Sequence, residues 1–227
     1  MSQIKEKATG KLRILVTAGP TWVPVDKVRV LTNIFSGRLG YLIAKKAASK
    51  ETTKVTLFLG PGRISLPEKQ DKNLKIIRYK YFDELYDLLK KAVSSKKYDI
   101  LIHSAAVADY APKPADTKIK SGKQNLIIKL NPTIKIVDQI KKWDPNIFLV
   151  KFKLEAGISS KELIDIAYES MLKSKADLMV ANEFAETSEK YHRAYIINPQ
   201  KKVKPIIGKE NIADQLLNEL RSIWKKV

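Results

Sequence analysis

The chain has 227 residues, 44% of them hydrophobic, with no cysteine, two histidines and a formal net charge of +19. Length and apolar content allow a sizeable core in one large α/β domain. The missing cysteines exclude disulfides, thiolate catalysis and cysteine-held metal, and His103 and His192 alone leave little for a histidine cage. The positive charge suits a solvated lysine surface, a nucleic acid or a phosphorylated small molecule alike. Its lysine pairs, such as Lys45-Lys46 and Lys90-Lys91, come with no nucleic-acid module or base-stacking motif.

Residues 1–10 read as a flexible basic arm ahead of a single domain over 11–227. They contain no signal-peptide core, and no apolar run approaches the ~18 residues of a membrane span, so a cytoplasmic protein with no membrane partner is expected. Leu12, Ile14, Leu15 and Val16 form a buried parallel strand that ends at Gly19-Pro20. A long loop then carries Thr17, Thr21, Asp26, Arg29, Thr32 and Asn33 to a helix opened by Ser36-Gly37-Arg38. Unpaired N–H groups at such a helix start attract anions, and a loop of this length inside a compact domain is usually functional.

The helix spans 37–49 and a second strand 54–59, a βαβ unit. A strand over 74–79, a helix over 82–95 and a strand over 99–103 follow. The last strand runs into Ser104-Ala105-Ala106-Val107-Ala108-Asp109-Tyr110, small side chains that let a ligand approach the backbone at the carboxyl edge of a parallel sheet. Residues 111–123, with two prolines, a glycine and four lysines, read as a mobile flap. Beyond it the pattern predicts a strand over 124–130, a turn at Asn131-Pro132-Thr133, a helix over 134–143, a strand over 147–154, a helix over 161–174 and a strand over 178–181. Two antiparallel strands, 194–197 and 203–207, and a helix over 212–224 form a C-terminal β-β-α extension.

The segments TAGPT, VDKVRVLTN, SGRLG, HSAAVADY, KIKSG, LNP and DLMVANE stand in this order along nearly all of 11–224. In them the chain resembles the phosphopantothenate–cysteine ligases of coenzyme A biosynthesis, in their stand-alone form without a flavin-binding decarboxylase half. The resemblance implies a Rossmann-like, mostly parallel sheet flanked by helices, and a homodimer. It implies a ligase that joins 4′-phosphopantothenate to L-cysteine through an acyl-nucleotide, using CTP or ATP and Mg2+ but no flavin.

The same resemblance assigns catalysis to Asn33 and Lys118. A flap lysine could neutralise the α-phosphate and close out water. An amide could hold carboxylate, carbonyl and phosphate in turn without ionising. It implies nucleotide contacts at Ala105, Ala106, Asp109, Lys118, Pro132, Thr133, Ile134, Lys135, Phe152 and Lys173, and substrate contacts at Asn33, Gly37 and Arg38; metal ligands stay unassigned. The sequence departs from the family pattern at Trp22-Val23-Pro24, Phe35, Lys151 and Glu169, where a polar triplet, serine, glycine and lysine are usual.

Two other readings stand beside it. Tyr41-x-x-x-Lys45 and Tyr86-x-x-x-Lys90 match the spacing of an NAD(P)-dependent short-chain oxidoreductase, but on early helices, and the first loop lacks G-x-G-x-x-G. The charge also fits a non-catalytic nucleotide- or nucleic-acid-binding relative; Asn33 together with Lys118 disfavours it, and nucleic acid is not the expected partner. His103 reads as a hydrogen-bonded strand-end histidine and His192 as a surface residue.

Overall fold

A computed structural model describes residues 10–69, 71–122, 124–184 and 193–224. The basic arm over 1–9, Lys123 of the flap and His192 lie outside the described residues.

The sheet has eight strands: β1 (Leu12–Ala18), β4 (Thr53–Leu59), β5 (Leu74–Arg78), β6 (Ile100–His103), β9 (Phe148–Glu155), β10 (Leu178–Glu183), β11 (Arg193–Ile197) and β12 (Val203–Ile207). Their order is β12-β11-β10-β9-β6-β1-β4-β5, and every pairing is parallel except β10–β11 and β11–β12. The antiparallel pair is the predicted C-terminal extension, which continues into α5 (Lys209–Ile223).

Side-chain alternation along the central strands decides which helix covers which face. Leu12, Ile14, Val16 and Ala18 point into one core with Ile100 and Ile102; α1 (Arg38–Ala48) and α5 close it with Ile43, Ala44, Ala47, Leu216, Leu217 and Leu220. Leu15, Leu101 and Leu149 point the other way. There they meet Leu85, Leu89 and Val93 of α2 (Phe82–Ser94), Ile140 of α3 (Val137–Trp143) and Leu163, Ala167 and Met171 of α4 (Ser160–Ser174). Each buried leucine or isoleucine contributes roughly 1.5–3 kcal/mol of hydrophobic stabilisation before entropy is counted. Two of the helices, α2 and α4, start where their sequences supply caps. Glu84 takes the N–H groups of Lys80 and Tyr81 ahead of α2, and Ser159 and Glu162 form a reciprocal capping box on α4.

Three local expectations are corrected. The long loop after β1 contains a hairpin, β2 (Trp22–Pro24) with β3 (Val30–Thr32). Asp26 makes its turn: Oδ1 accepts from the N–H groups of Val28 and Arg29, both at 2.9 Å. Secondly, the strand expected over 124–130 is reduced to β8 (Leu130–Pro132), which pairs with β7 (Tyr110–Pro112). Residues 124–129 have no partner strand among the described residues, and Ile127 is 90% exposed. Thirdly, the helix expected from 134 begins only at Val137. Thr133 is held by long-range bonds, its N–H to Asp109 O at 2.9 Å and its hydroxyl to Ala108 O at 2.6 Å, which keep this stretch out of the helix.

Candidate active site

The strand order reverses at β1: the connection from β1 runs to β4 on one side, whereas β6 lies on the other. Loops leaving two such neighbours diverge and open a crevice at the carboxyl edge. Here the first turns are fastened together. Thr17 O accepts from Ser104 Oγ at 2.8 Å, Thr17 Oγ1 from the N–H of Ala105 at 3.2 Å, Gly19 O from the N–H of Ala106 at 3.0 Å and Thr21 Oγ1 from the N–H of Ala108 at 3.0 Å. The Tyr79 hydroxyl supports this seam from below, 3.0 Å from the carbonyls of both Ala18 and Gly19. Threonine at 17 and 21 therefore serves the backbone of the neighbouring loop.

Helix α1 starts directly against this seam because glycines stand at 37 and 40. Gly37, with φ 81°, is the N-cap, and a Cβ there would stand 2.7 Å from Gly19 N. Asn33 reaches across from the β3 side and donates through Nδ2 to Ala106 O at 3.1 Å, so the amide is tied to the strand-end loop.

A cleft of about 700 Å³ lies along this edge. Of the residues expected in a site, Asn33, Gly37, Arg38, Ala105, Ala106, Asp109, Thr133, Ile134, Lys135 and Phe152 all line it. Pro132, Lys173 and Lys118 do not. Pro132 is engaged in β8, and Lys173 is exposed on the last turn of α4. Lys118 is exposed on the segment over 111–122, which is tethered to the hairpin. Ile119 N–H donates to Asp26 Oδ2 at 3.0 Å, Arg29 Nη2 donates to Ile119 O at 2.6 Å, and Ala115 N–H to Val25 O at 2.9 Å. The flap is thus anchored at two points. Hydrogen bonds to Asp26 from the Ile119 N–H first, and then from Val28 and Arg29, hold its carboxyl well below the usual carboxylate range, against the opposing effect of its burial.

Residues not assigned to a site also line the cleft: Ser36, Ser104, Lys151, Lys153, Ser170, Phe184 and Lys209. Phe35, one of the departures, packs edge-to-face on Phe184 with centroids 6.0 Å apart, and both rings line the wall. By contrast Trp22, Val23, Pro24 and Glu169 are absent from the lining; Trp22 packs edge-to-face on Tyr81. A charge repulsion between Glu169 and a ligand in the cleft is not expected from that position.

The cleft is cationic. Among the described residues Arg38, Lys135, Lys151, Lys153 and Lys209 line it against the single carboxylate of Asp109, with Lys153 also paired to Glu155 at 2.8 Å. Such a surface concentrates anions. His103, 7% exposed, hydrogen-bonds through Nδ1 to Thr17 Oγ1 at 2.9 Å, as the strand-end reading expects. Burial, reinforced by the Lys151 charge, pushes its pKa down to about 4, so the ring is neutral at neutral pH. No group of three or more acidic or histidine side chains that could hold a metal occurs among the described residues. A divalent cation that kept most of its ligands from phosphates and water would need only one or two protein carboxylates, and Asp109 is the one that lines the cleft among the described residues.

Comparison with known proteins yields a family model described as DNA/pantothenate metabolism flavoprotein C-terminal domain, which matches residues 9–223. A coenzyme A biosynthesis bifunctional protein CoaBC from Thermococcus kodakarensis is 34% identical over 213 residues, 93% of this chain and 51% of that protein. The chain thus spans about half the length of the curated relatives it matches. The crystal structure of the DNA/pantothenate metabolism flavoprotein from Streptococcus pneumoniae superposes with a TM-score of 0.83 at 31% identity, covering 93% of this chain and 99% of the other. A Cab2 mutant in complex with phosphopantothenate-cysteine shares the fold, with a TM-score of 0.74 at 17% identity over 92% of this chain and 86% of that one.

Proposed function

The chain belongs to the family of DNA/pantothenate metabolism flavoprotein C-terminal domains, and from that membership we propose that its cleft joins 4′-phosphopantothenate to L-cysteine. One observation carries the reading: Asn33, Arg38, Asp109, Lys135 and the small-residue strand end from Ser104 to Ala108 converge on one cationic cleft. Both organic substrates of the first step are polyanions, and the reaction needs its charge dispersed. A carboxylate oxygen of phosphopantothenate attacks the α-phosphorus of a nucleoside triphosphate, and pyrophosphate departs. The amine of cysteine then attacks the acyl carbon, the nucleoside monophosphate leaves and the amine gives up a proton.

In this reading the nucleotide lies across Ala105 to Asp109 and Thr133 to Lys135, with Phe152 beside it. Pantothenate lies near Asn33, Gly37 and Arg38. Asn33 keeps its Oδ1 for the reacting group while Nδ2 holds Ala106 O. CTP or ATP serves as cosubstrate, and Mg2+, near Asp109, supplies charge neutralisation on the phosphates. Lys118 acts at the α-phosphate once the segment over 111–122 swings inward from its anchors on Asp26, Arg29 and Val25. The protein works as a cytoplasmic homodimer. The name of the Thermococcus relative and the ligand of the Cab2 complex support the choice of substrates.

Two variants test the assignment with amide product and intermediate followed by mass spectrometry. Lys118→Gln is expected to form neither acyl-nucleotide nor product, with a loss of at least ~100-fold in rate. Asn33→Asp is expected to form the acyl-nucleotide and stall before product. Normal turnover by both would remove these residues from the site.

A further inference from the structure

Lys151 is a lysine in the middle of a central parallel strand, with His103 of β6 and Met179 of β10 as its partners in register. It is 9% exposed and it lines the cleft. Its Nζ is held by α4: it donates to Ser170 Oγ at 2.8 Å, Ser170 O at 3.0 Å and Ser174 Oγ at 3.3 Å. The two serines stand one turn apart and present their oxygens to a single ammonium. All three acceptors are neutral, and no carboxylate among the described residues is ion-paired with it.

Hydrogen bonds to neutral oxygens satisfy the geometry of an ammonium without cancelling its charge. Of the charged groups that act on it, Asp138 on α3 has the largest effect and favours the ammonium without an ion pair to it, while Lys135 ahead of α3, Lys153 on its own strand and Lys173 on α4 oppose it. His103, its neighbour on β6, is neutral and adds nothing. A buried cation without a counter-ion is costly, and a hydrophobic side chain of similar volume would serve stability as well or better. The position therefore points to an anion brought by the ligand.

We propose that Lys151, presented by Ser170 and Ser174, is a phosphate-binding residue of the nucleotide site and supplies from the strand a positive charge that completes the cleft only when a polyphosphate is bound. This rests on the ligase reading for the identity of that anion. A consequence follows for protons. Burial, chiefly, pushes the Lys151 amine down to about 8. A phosphate against it raises that value again, so nucleotide binding near pH 8 draws a proton from solution, up to about half a proton per site.

The test uses the full chain with CTP and with ATP, by titration calorimetry at pH 8 in two buffers of different ionisation enthalpy, alongside Lys151→Met and Ser170→Ala. The wild type should take up a proton on binding. Lys151→Met should melt no lower than wild type, bind nucleotide about ten- to a hundredfold more weakly and show no linked proton. In turnover the nucleotide KM should rise while kcat changes far less. Ser170→Ala keeps the charge and should retain the proton uptake. Nucleotide binding that is equally tight in Lys151→Met, with unchanged proton uptake, would overturn the proposal and leave Lys151 as a brace between β9 and α4. Failure of the wild type itself to bind either nucleotide would overturn the ligase reading instead.

Discussion

Gly40 decides how closely helix α1 approaches the strand-end loops, and replacing it by alanine tests whether that approach matters. Helix propensity alone favours alanine by about 1 kcal/mol. The site opposes it. A Cβ on Gly40 would overlap Ser104 Oγ, stand 2.6 Å from Ala18 Cβ and 3.2 Å from Thr17 O. Ser104 can rotate away, at the loss of its 2.8 Å bond to Thr17 O, worth about 1 kcal/mol. Ala18 cannot, since it is fully buried at the end of β1 between β4 and β6. The overlap must then be relieved by moving the first turn of α1, which costs on the order of 1–3 kcal/mol. The losses exceed the gain by about 1–3 kcal/mol, which for a chain of this size lowers Tm by roughly 3–10 °C. Thermal and urea denaturation of Gly40→Ala against wild type and Ser104→Ala measure it. The shifted turn carries Gly37 and Arg38, so the KM for substrate should rise as well. A Gly40→Ala protein as stable as wild type or more so would refute the close packing of α1 on the seam.

Two further predictions concern charge. His103 takes up its proton near pH 4 in the folded chain but near 6.5 when unfolded, so between these values the unfolded state binds more protons and stability falls as the pH is lowered. The loss should reach on the order of 3 kcal/mol by pH 4 and be absent from His103→Gln, as read by denaturant titrations; a flat pH profile in the wild type would contradict the buried neutral ring. Asp26 has the same sign in a lower pH window. Its folded-state pKa is depressed, so its contribution is complete above the unfolded value near 4 and is lost only as the pH falls through the lower folded value. Proteolysis of the segment over 111–122 should therefore be slow and constant from pH 4 to 7 in the wild type and markedly faster in Asp26→Asn, whose amide presents an N–H to the Ile119 and Arg29 donors. Equal rates would mean that the flap is not held there.

The parallel core and the helix faces were legible because β1, β6 and α2 carry their pattern within a few residues. Leu85, Leu89 and Val93 announce one buried stripe, and Ile100 to Ile102 one buried strand. The cleft was legible for a related reason: small residues at Ala105 to Ala108 and Gly37 follow strand ends and permit close approach wherever the rest of the chain falls. What escaped depends on distant partners. The start of α3 is set by carbonyls of Asp109 and Ala108, about 25 residues back in the chain, and nothing near Thr133 signals it. The β2–β3 hairpin has strands too short to alternate, although Asp26 three residues before Arg29 was a turn signal that could have found it. The anchoring of Ile119 to Asp26 spans 93 positions, and the seat of Lys151 on Ser170 and Ser174 requires knowing that β9 lies under α4. A lysine inside an apolar strand run was the visible clue to that seat.

The measurement that tests the ligase account most directly is pyrophosphate release by the purified chain with 4′-phosphopantothenate, Mg2+ and either CTP or ATP, in the presence and absence of cysteine. The account predicts release that requires phosphopantothenate with at least one of the nucleotides, and an amide product only when cysteine is added. No phosphopantothenate-dependent pyrophosphate with either nucleotide would contradict it and leave the cleft to another anionic ligand.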